Sequence, residues 1–141
     1  MKKLTYLTLF LFGTLGFNAQ AQCVKGNCYN GKGTYAYSNG DKYVGQWKEG
    51  QMNGTGSYEF KNGDRYTGDF HVNKRDGTGI YVWANKNRYS GEWKMNKREG
   101  HGVFQWSSSA TYNGFWLQDQ IIDMDVSTVV DCASRPVPEK Q

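Results

Sequence analysis

A 23-residue repeat constrains this chain more than any other feature of its sequence. A tyrosine followed by x-Gly recurs at intervals of 23 residues, at Tyr43, Tyr66, Tyr89 and Tyr112. A Gly-x-Gly step recurs in constant register, at 31–33, 54–56, 77–79 and 100–102. A phosphate-binding P-loop occurs once, ends in Gly-Lys-Ser/Thr and opens a helix, whereas none of these steps does so. The glycines are therefore interpreted as structural, because they permit positive φ and close backbone approach at a turn or bulge.

Each repeat has the pattern of a β-hairpin. Large residues alternate with polar or small ones, as in Tyr43 and Trp47, and alternate again after Gly-x-Gly, as in Tyr58 and Phe60. Residues two apart in a strand lie on one face of the sheet. Dipeptides such as Asn39-Gly40 have the composition of tight hairpin turns. The sequence therefore predicts an all-β fold, an elongated single antiparallel sheet of successive β-hairpins.

The pattern resembles the MORN family (membrane occupation and recognition nexus). The resemblance is carried by Tyr-x-Gly-x-Trp/Phe followed by Gly-x-Gly at a fixed period, and it covers about residues 29–116. The family's elongated sheet of hairpins agrees with the predicted fold. Members have been associated with anionic phospholipids and with protein partners, so the resemblance implies either kind of partner. Phe70 departs from the usual tryptophan, and the last unit is expected to keep only its first strand.

The N-terminus is predicted to be a secretory signal peptide. Two lysines precede an apolar run over residues 4–17, which is shorter than the ~20 residues of a membrane span, and Ala19-Gln20-Ala21 follows as a small-x-small cleavage motif. We predict cleavage after Ala21 and a periplasmic or secreted protein. The predicted organisation is a signal peptide over 1–21, a repeat sheet over 22–118 (units 22–42, 43–65, 66–88, 89–111 and 112–118), and a C-terminal cap with a flexible tail over 119–141.

Three cysteines follow the predicted cleavage site, and an exported protein can form disulfides. Cys23 and Cys28 align with positions that flank a hairpin bend in the next unit, where cross-strand cysteines meet the spacing of a disulfide. Cys132 lies beyond the opposite end of the strand stack. We predict a Cys23–Cys28 disulfide and a Cys132 that is free or pairs between molecules.

The charge and the scattered polar residues favour neither nucleic-acid binding nor catalysis. The formal net charge of the whole chain is +4, and two of the positive charges lie in the predicted signal peptide. The net charge that remains is too small for a typical nucleic-acid-binding protein. His71 and His101 both map to turns and differ in repeat register, so no paired role is predicted. No catalytic residue, metal site or cofactor is predicted, and the protein is predicted not to be an enzyme.

Two features are candidates for binding. The aromatic residues are predicted mainly to hold the sheet together, but exposed rings would also stack on sugars, and the candidate aromatic face is Trp83, Trp93 and Trp106. The motif Asn-Lys-Arg-acid-Gly recurs at 73–77 and 96–100, so equivalent loops are expected along one edge of the sheet. The candidate interaction edge is Lys74, Arg75, Lys94, Lys97 and Arg98, unless these charges serve only to block edge pairing.

The sequence predicts a non-catalytic, exported repeat scaffold. Its partner is predicted to be an unknown protein or an envelope component, with weak contact to anionic lipid through the basic edge and no nucleic acid. The alternative is a carbohydrate-binding module that uses exposed aromatic rings.

Overall fold

The structure of the protein, a computed structural model, describes residues 20–122. All the regular secondary structure in this range is β-strand, which confirms the all-β prediction. The ten strands are β1 (Gln22–Gly26), β2 (Gly31–Ala36), β3 (Lys42–Lys48), β4 (Gln51–Glu59), β5 (Arg65–His71), β6 (Lys74–Val82), β7 (Arg88–Lys94), β8 (Lys97–Gln105), β9 (Thr111–Leu117) and β10 (Gln120–Ile122). Residues 1–19 of the predicted signal peptide, residues 123–141 of the cap and tail predicted over 119–141, and Cys132 lie outside the described residues.

The strands form one antiparallel sheet in chain order, from β1 to β10. Each strand from β2 to β9 pairs with the strand before it and the strand after it, and consecutive strands form hairpins, as the repeat pattern predicted. β10 pairs Gln120–Ile122 with the end of β9. The last unit therefore contains the start of a second strand, contrary to the expectation that it keeps only its first.

The core lies on one face of the sheet, here called the aromatic face. The pairing aligns residues of one parity across neighbouring strands, so that Tyr43 lies opposite both Tyr35 and Tyr58. The opposite face carries the intervening residues, such as Val44 and Thr67. All the buried apolar side chains lie on the aromatic face: Tyr43, Trp47, Met52, Tyr66, Phe70, Tyr81, Tyr89, Trp93, Phe104 and Trp116.

A row of glycines crosses the sheet beneath the core tyrosines. Gly45 pairs with Gly56, and the ring of Tyr43 lies over both of them, where a Cβ atom at either glycine would collide with it. The Tyr43 hydroxyl donates to the carbonyl of Gln46 at 3.0 Å. This close approach explains the Tyr-x-Gly motif, and it recurs in the next two units.

The first glycine of each Gly-x-Gly step has a different role from the second. Gly54 has a φ of 90°, a left-handed conformation that favours glycine, and it lies at a bulge where β3 and β4 change register. The side-chain oxygen of Gln46 accepts the backbone N–H of Thr55 at this bulge, 2.9 Å away. The step lies inside β4, whereas the sequence pattern placed it before the strand, because pairing with β3 already begins at Gln51.

The hairpin turns lie along two edges of the sheet. The asparagine–glycine edge carries the longer turns at 37–41, 60–64, 83–87 and 106–110. The short-turn edge carries turns of two residues with positive φ, at 49–50, 72–73, 95–96 and 118–119. Two positive φ values are typical of the type I′ turn, whose twist matches that of the flanking strands.

Candidate functional site

A continuous chain of aromatic rings runs across the aromatic face beside the asparagine–glycine edge. Successive centroids are 4.5 to 5.7 Å apart, and successive planes are tilted by 35 to 60°. Such tilted contacts are favourable for aromatic pairs and stabilise the sheet. The chain, here called the ring row, is Tyr35, Tyr37, Tyr58, Phe60, Tyr81, Trp83, Phe104 and Trp106.

The three tryptophans predicted as a face do not share one environment. Trp93 is 4% exposed and belongs to the core, where its indole N–H donates to the carbonyl of Gly79 at 3.2 Å. Trp83 is half-buried in the ring row, and Trp106 is 38% exposed at the end of it. Trp83 and Trp106 are therefore accessible to a partner, whereas Trp93 supports the sheet.

The predicted basic edge divides into two groups. Asn73 and Asn96 lie in two-residue turns, so the following lysines and arginines belong to β6 and β8 and not to loops. Lys74, Lys94 and Lys97 remain on the short-turn edge, and the Lys94 ammonium pairs with Asp76 at 3.1 Å. The arginines instead lie across the aromatic face, because their strand positions have the parity of the core. Binding by this edge stays a prediction.

Arg98 is fully committed to contacts within the sheet. Its guanidinium lies 4.2 Å from the centroid of the Trp116 ring. Its Nε donates to the Asp119 carboxylate at 3.1 Å, and one Nη donates to the Asp119 carbonyl at 2.9 Å. The carboxylate also accepts the backbone N–H of Arg98. Asp119 therefore neutralises this cation and orients it.

Arg75 has the same geometry without the carboxylate. It lies 23 residues before Arg98, and its guanidinium is 4.4 Å from the centroid of the Trp93 ring. One Nη donates to the carbonyl of Asn96, which occupies the position equivalent to Asp119. Within residues 20–122 Arg75 forms no ion pair. Partial burial lowers the pKa of its guanidinium, which nonetheless stays charged at neutral pH.

Beside Arg75 the aromatic face contains a depression of about 290 Å³. Its floor and walls are Met52, Tyr58, Phe60 and Phe70, and its rim is Arg75, Asn73 and Asn96. The sequence pointed to Arg75 but not to this depression. Two signals were present, namely Phe70 in place of tryptophan and Asn96 in place of the aspartate of the next unit, but only the tertiary structure brings them together.

The asparagine–glycine edge is organised by aspartates. Asp64 accepts the Tyr81 hydroxyl at 2.7 Å and the backbone N–H of Ala84 at 2.8 Å. Partial burial opposes ionisation of this carboxyl, but the hydrogen bonds from Tyr81, Ala84 and Asn62 outweigh it and lower the pKa of Asp64. Asp41 joins the preceding turn to the ring row in the same way. These carboxylates are structural links between consecutive units.

On the opposite face, residues 20–122 form depressions lined by glycines and by polar residues such as Thr55 and Thr67. The Asp69 carboxylate in this region already accepts both the N–H and the hydroxyl of Thr78. His101 was predicted to lie in a turn, but it lies inside β8 on this face, with its ring 5.5 Å from that of Phe115. Within residues 20–122 no three His, Cys, Asp or Glu side chains group as metal ligands.

The Cys23–Cys28 disulfide is present, as predicted. The predicted placement of both cysteines on paired strands is wrong, because Cys23 pairs with Tyr35 and Cys28 lies in the connection between β1 and β2. This connection lets the Cys28 sulfur lie over Gly33, where a Cβ atom would collide with it. In later units a tyrosine ring covers the corresponding glycine, so the disulfide closes the N-terminal end of this row.

The repeated geometry agrees with a comparison against family models. The MORN repeat model matches residues 25–42, 43–65, 66–88 and 89–111, which is more than half of the chain. The chain belongs to the MORN repeat family. These repeats are associated with scaffolds for interaction and in general not with catalysis. A sequence comparison with curated proteins found no match. No helix among residues 20–122 is long and apolar enough to cross a membrane.

Proposed function

We propose that this MORN-repeat chain is an exported, non-catalytic scaffold that binds a protein of the cell envelope through its aromatic face. The observation that carries the proposal is the ring row, which crosses the repeats with its outer edge accessible to solvent. Within residues 20–122 no second layer packs on this face. Aromatic side chains rimmed by polar residues are typical of protein interfaces.

The tilt of the rings favours a protein over a glycan. Stacking on a sugar requires a ring that presents its flat side to solvent, whereas neighbouring rings of the row are tilted and 4.5 to 5.7 Å apart, so they partly cover each other. The irregular surface that results suits apolar side chains of a polypeptide. A carbohydrate-binding module remains the alternative outcome of the experiment below.

Export is supported by two independent features. The N-terminal sequence has the order of a signal peptide, and disulfides such as Cys23–Cys28 persist in oxidising compartments. We expect the exported protein to begin at Gln22, which mass spectrometry of the intact protein from its native host would show. Recovery of exported protein that still carries Met1 would contradict the proposed cleavage.

Photo-crosslinking tests which face binds. A benzophenone amino acid replaces Trp106 on the aromatic face, and the matched control replaces Phe115, which is 43% exposed on the opposite face. We expect a protein adduct in the native envelope from position 106 and not from position 115. Adducts from position 115 alone would refute binding by the aromatic face. Adducts from neither, together with quenching of tryptophan fluorescence by envelope glycans, would favour the carbohydrate-binding alternative.

A further inference from the structure

Arg75 and Arg98 form a natural comparison within one molecule. Each guanidinium lies over a core tryptophan of the aromatic face, Trp93 or Trp116. Arg98 is neutralised by Asp119, whereas Arg75 has the neutral Asn96 at the same register. A direct ion pair favours a partly buried cation, and of these two arginines only Arg98 forms one among residues 20–122.

The polar rim of the depression beside Arg75 presents hydrogen-bond donors. The Asn96 Oδ1 accepts the backbone N–H of Arg75 at 2.9 Å, and the Asn73 Oδ1 accepts that of Met52 at 2.8 Å. These bonds show which end of each amide is the oxygen, so the Nδ2 groups of Asn73 and Asn96 are the donors. Neither Nδ2 group donates to an acceptor among residues 20–122. The depression is lined by no acidic side chain. Its rim is therefore suited to an acceptor that carries negative charge.

We propose that this depression binds the carboxylate of an acidic side chain in an extended peptide, next to an apolar side chain that packs on Tyr58, Phe60 and Met52. The carboxylate supplies Arg75 with the negative charge that Asp119 supplies to Arg98, and it accepts from the guanidinium and from the Asn96 amide. The inference rests on the proposed function, because the peptide belongs to the protein partner of the scaffold.

The shape of the site favours a peptide over an acidic glycan. The rings of Tyr58 and Phe60 are 4.6 Å apart and tilted by 48°, and they form a wall, not a flat platform for a sugar. Met52 adds a flexible thioether to the same wall, and such side chains adapt to irregular apolar groups. A side chain such as phenylalanine fills a space of this kind.

The test compares two blocked dipeptides, acetyl-Phe-Glu-amide and acetyl-Phe-Gln-amide, by NMR titration of the full mature chain. We expect the Glu peptide to shift the Trp93 indole and the Arg75 guanidinium signals and to bind about tenfold more tightly than the Gln peptide, since a charge-assisted hydrogen bond exceeds a neutral one. Equal binding of the two peptides, or binding of neither, would overturn the inference.

Three variants locate the site. Asn96→Asp supplies Arg75 with an internal carboxylate, as Asp119 does for Arg98, so it is expected to fold normally and to lose the preference for the Glu peptide. Arg75→Gln is expected to lose it as well, whereas the matched control Arg98→Gln keeps it. Retention of the preference in Asn96→Asp would refute the proposed contact, even if Arg75→Gln failed to fold.

Two further arms separate the alternatives. Glucuronate serves as the probe for an acidic glycan, and its binding without that of the Glu peptide would overturn the peptide assignment. The crosslinking experiment at position 106 tests the proposed scaffold function independently of the Arg75 site. A crosslinked partner combined with no response to the Glu peptide would leave the scaffold function supported and the Arg75 site refuted.

Discussion

At the scale of single residues, each of three core tryptophans links its strand to the strand before it through a side-chain hydrogen bond. The indole N–H groups of Trp47, Trp93 and Trp116 each donate to a glycine carbonyl 14 residues earlier, at 3.2 to 3.3 Å. Phe70 has the same register and is buried, but a phenyl ring has no donor. One of the four hairpins thus lacks a hydrogen bond that the other three share.

Phe70→Trp is expected to supply this bond, from the new indole to the carbonyl of Gly56. A typical intramolecular hydrogen bond contributes about 1 kcal/mol, so the free energy of unfolding should rise by about that amount. Urea denaturation of the mature chain measures the change.

The matched control is Trp93→Phe, which removes the bond to Gly79 and part of the stacking surface beneath Arg75. It is expected to destabilise the protein by at least about 1 kcal/mol. A destabilised Phe70→Trp variant would contradict this expectation and would mean that the space beside Met52 does not fit an indole ring.

At the scale of the hairpins, the aspartates of the asparagine–glycine edge are expected to make the free energy of unfolding decrease at low pH. The pKa of Asp64 is lower in the folded protein than its ordinary value, because hydrogen bonds from Tyr81, Ala84 and Asn62 outweigh partial burial. The resulting stabilisation is fully present above the ordinary aspartate pKa and is lost as the pH falls through the lowered one. In the third turn of this edge the equivalent residue is Asn87, whose uncharged side-chain oxygen accepts the backbone N–H of Ser107.

Asp64→Asn is therefore expected to reduce the loss of stability on acidification. It keeps an oxygen for the Ala84 N–H but removes the titrating group. The midpoint of urea unfolding is compared at about pH 7 and about pH 2, on either side of the relevant range. The control is Glu49→Gln, since the Glu49 carboxylate makes no hydrogen bond or ion pair among residues 20–122. An identical acid dependence in wild type and Asp64→Asn would contradict the role given to this carboxylate.

The disulfide acts on the terminal hairpin. It closes a loop of about five residues, and chain entropy gives such a crosslink roughly 2 kcal/mol. Since each unit of a repeat protein contacts only its neighbours, the effect should stay local. In Cys28→Ser, hydrogen exchange is expected to accelerate in β1 and β2 and to remain unchanged in β5 and β6. Uniform acceleration throughout the sheet would show that the hairpin is needed for the whole structure.

At the scale of the whole molecule, the single-layer sheet separates the aromatic face from the lysines of the short-turn edge. Lys74, Lys94 and Lys97 lie on the short-turn edge, where Lys94 pairs with Asp76, whereas the guanidinium groups of Arg75 and Arg98 lie over tryptophans of the aromatic face. Each lysine near an anionic membrane contributes about 1 kcal/mol before screening. The edge is therefore expected to assist docking without anchoring the protein.

Co-sedimentation with anionic liposomes at low salt tests this edge. The triple variant Lys74→Ser, Lys94→Ser and Lys97→Ser is expected to lose the weak binding of the wild type. The matched control removes three lysines beside the asparagine–glycine edge, through Lys42→Ser, Lys61→Ser and Lys86→Ser, and should retain it. If all three proteins sediment equally, the short-turn edge has no specific affinity for lipid.

The sequence by itself determined the features that depend on neighbouring residues. The alternation of large and small residues predicted the strands and the face on which Tyr43 and Trp47 pack, because a strand has a period of two. Dipeptides such as Asn39-Gly40 predicted hairpins through their backbone preferences, but the tight turn expected there is wrong, because Asn39-Gly40 lies in a five-residue connection. Close spacing in a chain predicted to be exported indicated the Cys23–Cys28 pair, although not the connection that carries Cys28.

The tertiary structure decided the contacts between units. Arg75 lies opposite the core residue Phe70 because β5 and β6 resume pairing after a bulge, and its surroundings come from Trp93 and Asn96, about 20 residues away along the chain. The depression beside Phe70 arises in the same way, from residues of three successive hairpins. A local pattern does not contain such neighbours, because the register across a bulge depends on both paired strands at once.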